Sequence, residues 1–347
     1  MKIDIYSLVR TNVINLTPYS SARDEFKGSE GVFLDANENP YNDPYNRYPD
    51  PLQRKVKAKL AQIKGVRVEQ IFLGNGSDEP IDLLYRAFCE PHIDNIVSIH
   101  PSYGMYQVAA DINAVDFIKV PLNKDFTLDA KAVRAAVTPT TKIIMLCSPN
   151  NPTANSFNET EMIGLLEGFN GLLVVDEAYI DFSSQKSLLY LLNNYSNLVI
   201  LQTFSKAWGL AGLRMGVAYA SENVISVLNK IKYPYNVNMV TQKLVLEALN
   251  NNSAKDNWVK DIIYERQILI EKLNTLSIIE IIYPTDANFI LAKVNNAQKI
   301  YNYLVDNKII VRDRSKVQLC DECLRITVGN AKENEQLIKA LFAFVSK

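Results

Sequence analysis

Asn197–Gly216 reads NLVILQTFSKAWGLAGLRMG. It opens with an apolar, β-prone run from Leu198 to Leu201. It then turns through Thr203, Ser205 and Lys206, and reaches Arg214 eight residues after the lysine. Lys206 stands among Phe204, Ala207, Trp208 and Leu210, so its ammonium is poorly solvated. Poor solvation disfavours the charge and frees the neutral amine to attack a carbonyl. The hydroxyls of Thr203 and Ser205 and the guanidinium of Arg214 suit a dianionic phosphate. An amine nucleophile beside a phosphate cup suggests pyridoxal 5′-phosphate, whose aldehyde bonds to lysine and whose phosphate needs a separate anchor. For these residues alone, the alternative is an ordinary strand–loop–helix with one surface lysine.

Upstream, GLLVVDEAYIDF, Gly171–Phe182, reads as a fully buried strand ending in acid groups. Asp176 falls where α/β sheets place ligand groups, at the carboxyl end of a parallel strand. Its carboxylate could pair with a protonated pyridine nitrogen. Tyr179, three residues on, and Asn151, in the turn Ser148–Asn155 (SPNNPTAN), could donate to the ring's phenolic oxygen. Tyr103, in PSYGMY, could stack on a flat ring or simply be a core tyrosine. GNGSDEPIDLLYRAFC, Gly74–Cys89, predicts a glycine-bearing turn, Ser77 or Asp78 as N-cap, and an amphipathic helix. Free N–H groups at Gly76, Ser77 and Asp78 would suit a phosphate.

Val32–Pro51 holds four prolines, four asparagines and three tyrosines, which predicts a long functional loop rather than a regular element. Helices are expected over Leu52–Ile63, from Pro101–Tyr106 onward, after Asp129 to Ala136, and over Glu159–Phe169, Met239–Leu249 and Trp258–Leu276. Strands are expected at Gln70–Leu73, Asn95–Ile99, Ala114–Val120, Lys142–Leu146 and Gly216–Ala220. From Ile278 the pattern changes. Strands Ile278–Tyr283, Phe289–Lys293, Ile309–Val311 and Cys323–Val328, with helices Ala297–Asp306 and Glu333–Val345, predict a small α+β unit. The expectation is an α/β protein: an N-terminal arm and loop at 1–45, a large domain at 46–255 with a mainly parallel sheet covered by helices, and a small domain at 256–347 packed with the arm.

A chain of 347 residues, 48% hydrophobic and 22% charged, has room for a sizeable core. Its net charge of −1 argues against nucleic-acid partners. The start, MKIDIYSLVR, does not read as a signal peptide, and no apolar run approaches the ~18–20 residues that span a bilayer. A cytoplasmic enzyme without membrane contact is expected. Four scattered cysteines and two histidines make a disulfide framework, a metal site and a Ser-His-Asp triad improbable. GNGS is not GxGxxG, so a dinucleotide-binding protein ranks low.

The segments LTPYSSARDE, LDANENP, NRYPDP, GNGSDE, PSYGMY, SPNNPT, VVDEAYIDF, TFSKAWGLAGLRMG, PYNVN and VRDR…LRITVG resemble the fold type I, pyridoxal-phosphate-dependent aminotransferases of the class II subfamily. ANENP, PYNVN and LRITVG point to the histidinol-phosphate branch. The resemblance implies that Lys206 carries the cofactor, Asp176 faces the pyridinium, and Tyr179 and Asn151 face the phenolic oxygen. It implies a homodimer with shared active sites, in which Tyr48 reaches the phosphate of the neighbouring subunit. It also implies that Asn37, Tyr19 and Arg325 line the substrate site, and that Arg312 holds the substrate's phosphate or a carboxylate of glutamate. For the two arginines, surface salt bridging is the alternative. The implied reaction exchanges an amino group between L-histidinol phosphate and 2-oxoglutarate in histidine biosynthesis. An aromatic amino acid aminotransferase, a threonine-phosphate decarboxylase and a non-catalytic cofactor-binding protein are the rivals. Where the family reads NPTG this chain reads NPTA, so Ala154 would be strained by roughly 1 kcal/mol if the turn needs positive φ.

Overall fold

In the computed structural model, which describes residues 3–19, 22, 26 and 31–346, two sheets organise the chain. The larger contains β1 (Ile71–Asn75), β2 (Asn95–His100), β3 (Asp116–Pro121), β4 (Thr141–Cys147), β5 (Leu172–Asp176), β6 (Leu198–Thr203) and β7 (Met215–Ala220). Its spatial order is β1-β7-β6-β5-β4-β2-β3, and only β7 runs against its neighbours. Strands β5, β6 and β7 are buried along their whole length, as continuous apolar runs in a sheet covered on both faces should be. Alternate residues go to opposite faces. Ile144, Leu146, Leu173, Val175, Leu198 and Ile200 join one core; Ile143, Met145, Leu172, Val174, Val199 and Leu201 join the other. The edge strand β3 is largely exposed and carries Asp116, Lys119 and Pro121, which blunt the edge against pairing.

The helices follow the apolar spacing. In Asp78–Phe88, Ile81, Leu84, Tyr85 and Phe88 lie three or four apart, and all are buried against the sheet. Burying Ile81, Leu84 and Phe88 contributes ~1.5–3 kcal/mol each. The second sheet is antiparallel, ordered β10-β11-β9-β8: β8 (Ile279–Ile282), β9 (Phe289–Val294), β10 (Arg312–Asp313) and β11 (Cys323–Thr327). Its own core, with Ile290, Ala292, Leu324 and Ile326, packs under helices Asn252–Leu273, Ala297–Asp306 and Ala331–Val345. A further cluster, Ala154, Tyr179, Phe182 and Ala207 with Val259, Ala287 and Phe289, ties the two sheets together beside the site. Helix Asn252–Leu273 spans the junction. Lys255, near its start, pairs with Asp181, and Leu269 and Leu273, near its end, enter the second core.

Three elements differ from the sequence expectation. The strand read over Gly171–Phe182 stops at Asp176, and Ile180–Phe182 is a 3-10 turn. The acid side chains end it by capturing local donors: Asp176 accepts from the Ala178 N–H, and Glu177 from the Leu188 N–H and Gln202. The strand expected at Ile309–Val311 is instead β10, because the Ile309 N–H still caps Leu304 O and Lys308 sits at φ +63°. The helix expected from Pro101 begins at Met105. Within the N-terminal arm, residues 1, 2, 20, 21, 23–25 and 27–30 lie outside the described residues. Ala154 does have φ +70°, and it is fully buried in the linking cluster. Its strain of ~1 kcal/mol is thus roughly offset by burying one methyl, worth ~0.8 kcal/mol.

Candidate active site

A cavity of about 710 Å³ opens at the carboxyl ends of the parallel strands, against the second sheet. Strand ends aim the key groups into it. Asp176, the last residue of β5, stands beside Cys147 of β4, and Thr203 ends β6. Of the residues singled out in the sequence, the cavity is lined by Ser77, Asp78, Tyr103, Asn151, Asp176, Tyr179, Thr203, Ser205, Lys206, Arg214, Arg312 and Arg325.

One end of the cavity is a cup of donors. Gly76 (φ +69°) gives its N–H to Arg214 O at 2.8 Å, which holds the turn before helix Asp78–Phe88 against the turn after Lys206. The approach is close. A Cβ on Gly216 would lie 2.2 Å from Gly76 C, and one on Gly76 would lie 2.7 Å from Arg214 Nη2. Ser77 occupies the N-cap position, yet its side chain makes no capping hydrogen bond. Arg214 Nη1 donates to Ser205 Oγ at 3.5 Å, and Arg214 Nη2 lies 3.7 Å from the Asp78 carboxylate. The Ser205 N–H donates to Thr203 Oγ1 at 3.1 Å. A helix start, hydroxyls and a guanidinium therefore converge, a donor set that fits a phosphate dianion.

Asp176 is 3% exposed. Its Oδ2 accepts from the Tyr106 hydroxyl at 2.7 Å and its Oδ1 from the Ala178 N–H at 3.0 Å. Burial pushes its carboxyl up to about 6, against the pull of these two bonds. A buried carboxylate that faces a cavity with only neutral donors fits a cationic ring N–H, which would restore its charge. Tyr106 was not singled out in the sequence. It is a wholly buried tyrosine whose role depends on a partner 70 positions away.

Lys206 is held below its ordinary pKa, first by burial and then by the Arg325 guanidinium. Its Nζ lies 5.5 Å from the centre of the Tyr179 ring. Tyr179 is nine-tenths buried, and Asn151 Nδ2 donates to its hydroxyl at 3.5 Å. Arg325 Nη1 donates to Asn151 Oδ1 at 2.5 Å, and Arg325 stacks over Phe289 with Cζ 5.3 Å from the ring centre. Arg312 lies directly across from Arg325 in the β10–β11 ladder. Like charges opposite each other in a ladder destabilise it, so the pair answers to an anion rather than to the sheet. Neither arginine makes a surface salt bridge among the described residues.

Four residues singled out in the sequence do not line the cavity: the N–H expected to be free at Gly76 is spent on Arg214 O, and three others lie farther away. Tyr48 is half-exposed and stacks on Tyr235 at 4.5 Å. Asn37 is exposed at φ +54°, and Tyr19 borders a separate surface cleft with Arg10 and Lys232. Conversely, the cavity adds His100, Ser102 and Arg314, which carried no sequence signal beyond their neighbours. Among the described residues no group of three or more His, Cys, Asp and Glu could hold a metal ion, and no helix is long and apolar enough to cross a membrane.

Residues 13–341 match the family profile of aminotransferase class I and II. The chain belongs to this family. It is 55% identical over 345 residues to a histidinol-phosphate aminotransferase from Cytophaga hutchinsonii, covering 98% of this chain and 99% of that one. It is likewise 55% identical over 338 residues to one from Parabacteroides distasonis, covering 97% and 98%. Among solved structures, a histidinol-phosphate aminotransferase from Clostridium acetobutylicum superposes with a TM-score of 0.80 at 23% identity, over 87% of this chain and 91% of that one. One from Sinorhizobium meliloti, in complex with pyridoxal-5′-phosphate, does so with a TM-score of 0.80 at 22% identity, over 86% and 83%. The fold is therefore that of the fold type I transferases, and the cofactor of this aminotransferase family is pyridoxal phosphate.

Proposed function

We propose that this chain moves an amino group between L-histidinol phosphate and 2-oxoglutarate, giving imidazole acetol phosphate and L-glutamate, as a step of histidine biosynthesis in the cytoplasm. The observation that carries this reading is the 55% identity, over nearly the full length of both chains, to proteins named for that reaction. The cavity's chemistry agrees. It holds five cationic side chains, Lys206, Arg214, Arg312, Arg314 and Arg325, against two acids, Asp78 and Asp176. Both the cofactor and the phosphorylated substrate are anions.

Pyridoxal phosphate, when bound, supplies an aldehyde that takes up the amino group and a ring that accepts the electron pair left at Cα. Ser77, Asp78, Thr203, Ser205 and Arg214 would hold its phosphate, Gly76, whose N–H is taken by Arg214 O, would shape the turn beside it, and Tyr103 would lie against its ring. Asp176 would hold a proton on the ring nitrogen, which would keep the ring electron-poor. Tyr179 and Asn151 would hold the phenolic oxygen. Lys206, with its ammonium destabilised by burial, would be the amine that holds the aldehyde. As a neutral amine at the cavity it would serve as the base for the substrate's Cα proton. Arg325 and Arg312 orient the substrate through its anionic group. The division into an arm and loop at 1–45, a large domain at 46–255 and a small one at 256–347 places Lys206 on the large domain and these arginines on the small one.

We further infer a homodimer with shared sites, in which Tyr48 serves the neighbouring subunit and Asn37 and Tyr19 close over its substrate. Val32 and Leu34 are each 88% exposed, and Tyr41 is 78% exposed. Such an apolar stretch supports burial against a second copy.

Half-reactions followed by cofactor absorbance test the substrate. Histidinol phosphate should convert the cofactor at a higher specificity constant than phenylalanine or tyrosine. Preference for the aromatic acids would make this an aromatic aminotransferase, and carbon dioxide release from threonine phosphate would make it a decarboxylase.

A further inference from the structure

Arg312, Arg314 and Arg325 stand together on one wall of the cavity. Arg314 is two residues beyond Arg312, so the two point to the same side of the chain, and Arg312 faces Arg325 across the ladder. The backbone of Arg314 is pinned. Its N–H donates to Cys323 O at 2.9 Å, its carbonyl accepts from the Val317 N–H at 2.8 Å, and the next residue, Ser315, donates its N–H to Asp313 Oδ1 at 2.8 Å. Its side chain is half-buried, and its Nε, shut off from solvent, has no hydrogen-bond partner. Neither acid that lines the cavity is left for it. Asp78 serves Arg214 and Tyr103, and Asp176 serves Tyr106 and the Ala178 N–H. Burial, then Arg325 and Arg312, push its guanidinium down to about 10. A preorganised cation beside two others, with a dry donor unpaired, is a receptor that lacks its anion.

We propose that Arg314 is a specificity-determining residue that reads the phosphate group of the substrate and separates a phosphate ester from a carboxylate. This deepens the function proposed above and rests on it. A carboxylate has two oxygens, and a single guanidinium fork engages both. A phosphate monoester has three terminal oxygens and a charge of about −1.5 to −2 at neutral pH, so it can engage a second and a third fork. Arg325 serves either anion. Arg314 contributes chiefly when the third oxygen is present.

The test uses the cofactor-loaded enzyme, with Arg314→Gln and Arg314→Lys beside the wild type. The kcat and KM are measured for histidinol phosphate, histidinol and glutamate, with inorganic phosphate as a competing anion and Tm as a check on folding. Loss of one charge-assisted contact should lower kcat/KM for histidinol phosphate by about 10- to 100-fold, mainly through KM. Histidinol and glutamate should change by less than about threefold, since neither offers a third oxygen. Inhibition by inorganic phosphate should weaken in parallel, and Arg314→Lys, with Tm unchanged, should recover part of the loss. Equal losses for all three substrates, or none for the phosphate ester, would overturn the assignment while leaving the proposed reaction intact. A wild-type enzyme that converts glutamate but not histidinol phosphate would instead refute the reaction itself, and this proposal with it.

Discussion

Tyr106→Phe removes one hydroxyl from the least accessible part of the site. That hydroxyl gives Asp176 Oδ2 its hydrogen bond of 2.7 Å, leaving only the Ala178 N–H on the other oxygen. The other groups facing the carboxylate are Lys206, which favours its charge, Asp78, which opposes it, and the Cys147 thiol and Tyr103 hydroxyl, both held neutral by burial. In the wild-type chain Asp176 stands near 6 instead of 3.8. Losing a hydrogen bond to the ionised form costs that form ~1.5–3 kcal/mol. At ~1.4 kcal/mol per unit, the carboxyl should rise by a further one to two units, to roughly 7–8. The folded-state value lies above the unfolded one, so the native state binds more protons between them. Stability is therefore lost as pH rises from the unfolded pKa to the folded one, and the loss is complete above it. For the wild type that window closes near pH 6; for the variant it should stay open to about pH 7–8. Denaturant unfolding of the apoprotein at pH 5 should show only the small, pH-independent cost of the missing oxygen. At pH 8 the variant should lose an additional ~1.5–3 kcal/mol. Loading the cofactor should shrink the difference, because a ring N–H would take over as partner. An equal loss at both pH values would refute the reasoning, for it would mean that the hydroxyl does not support the charge.

Lys206→Ala should abolish both transamination and the visible absorbance of the cofactor-loaded protein. Borohydride reduction of the wild type should label Lys206, and label on another lysine sinks the assignment. Gly216→Ala should lower stability and cofactor affinity together, by ~1–3 kcal/mol or more, since its Cβ would lie 2.2 Å from Gly76 C. Cofactor titration followed by fluorescence reads this, and unchanged affinity would remove Gly76–Asp78 from the phosphate site. Mixing inactive Tyr48→Ala with inactive Lys206→Ala should restore part of the activity once subunits exchange. Exchanged but inactive heterodimers would end the shared-site proposal.

Local order was legible in the chain. The alternation of β4, β5 and β6 between two cores follows from a period of two that any apolar run carries with it. The Lys206 segment shows its chemistry because the amine, the hydroxyls and Arg214 all lie within a dozen residues. Ala154 was legible in part: the motif raised the question of a positive φ, and the structure answers it at +70°.

What the chain alone left open depends on groups far apart in sequence. Nothing near Tyr106 distinguishes it from a core tyrosine, and only the β2–β4–β5 assembly sets its hydroxyl against Asp176. Arg312 and Arg314 lie in a polar stretch that reads as well for a salt-bridged surface. Antiparallel pairing of β10 with β11 turns them toward Arg325 and a cavity whose acids are already engaged. The strand over Gly171–Phe182 looked longer than it is because composition cannot tell a ladder from side chains that capture its donors. Periodicity and residue type act over a few neighbours, so they determined the sheet, the turns and the local surroundings of Lys206. Charge balance, the partner of a buried acid and the supply of anion receptors are sums over the whole assembly, and only the tertiary structure decided them.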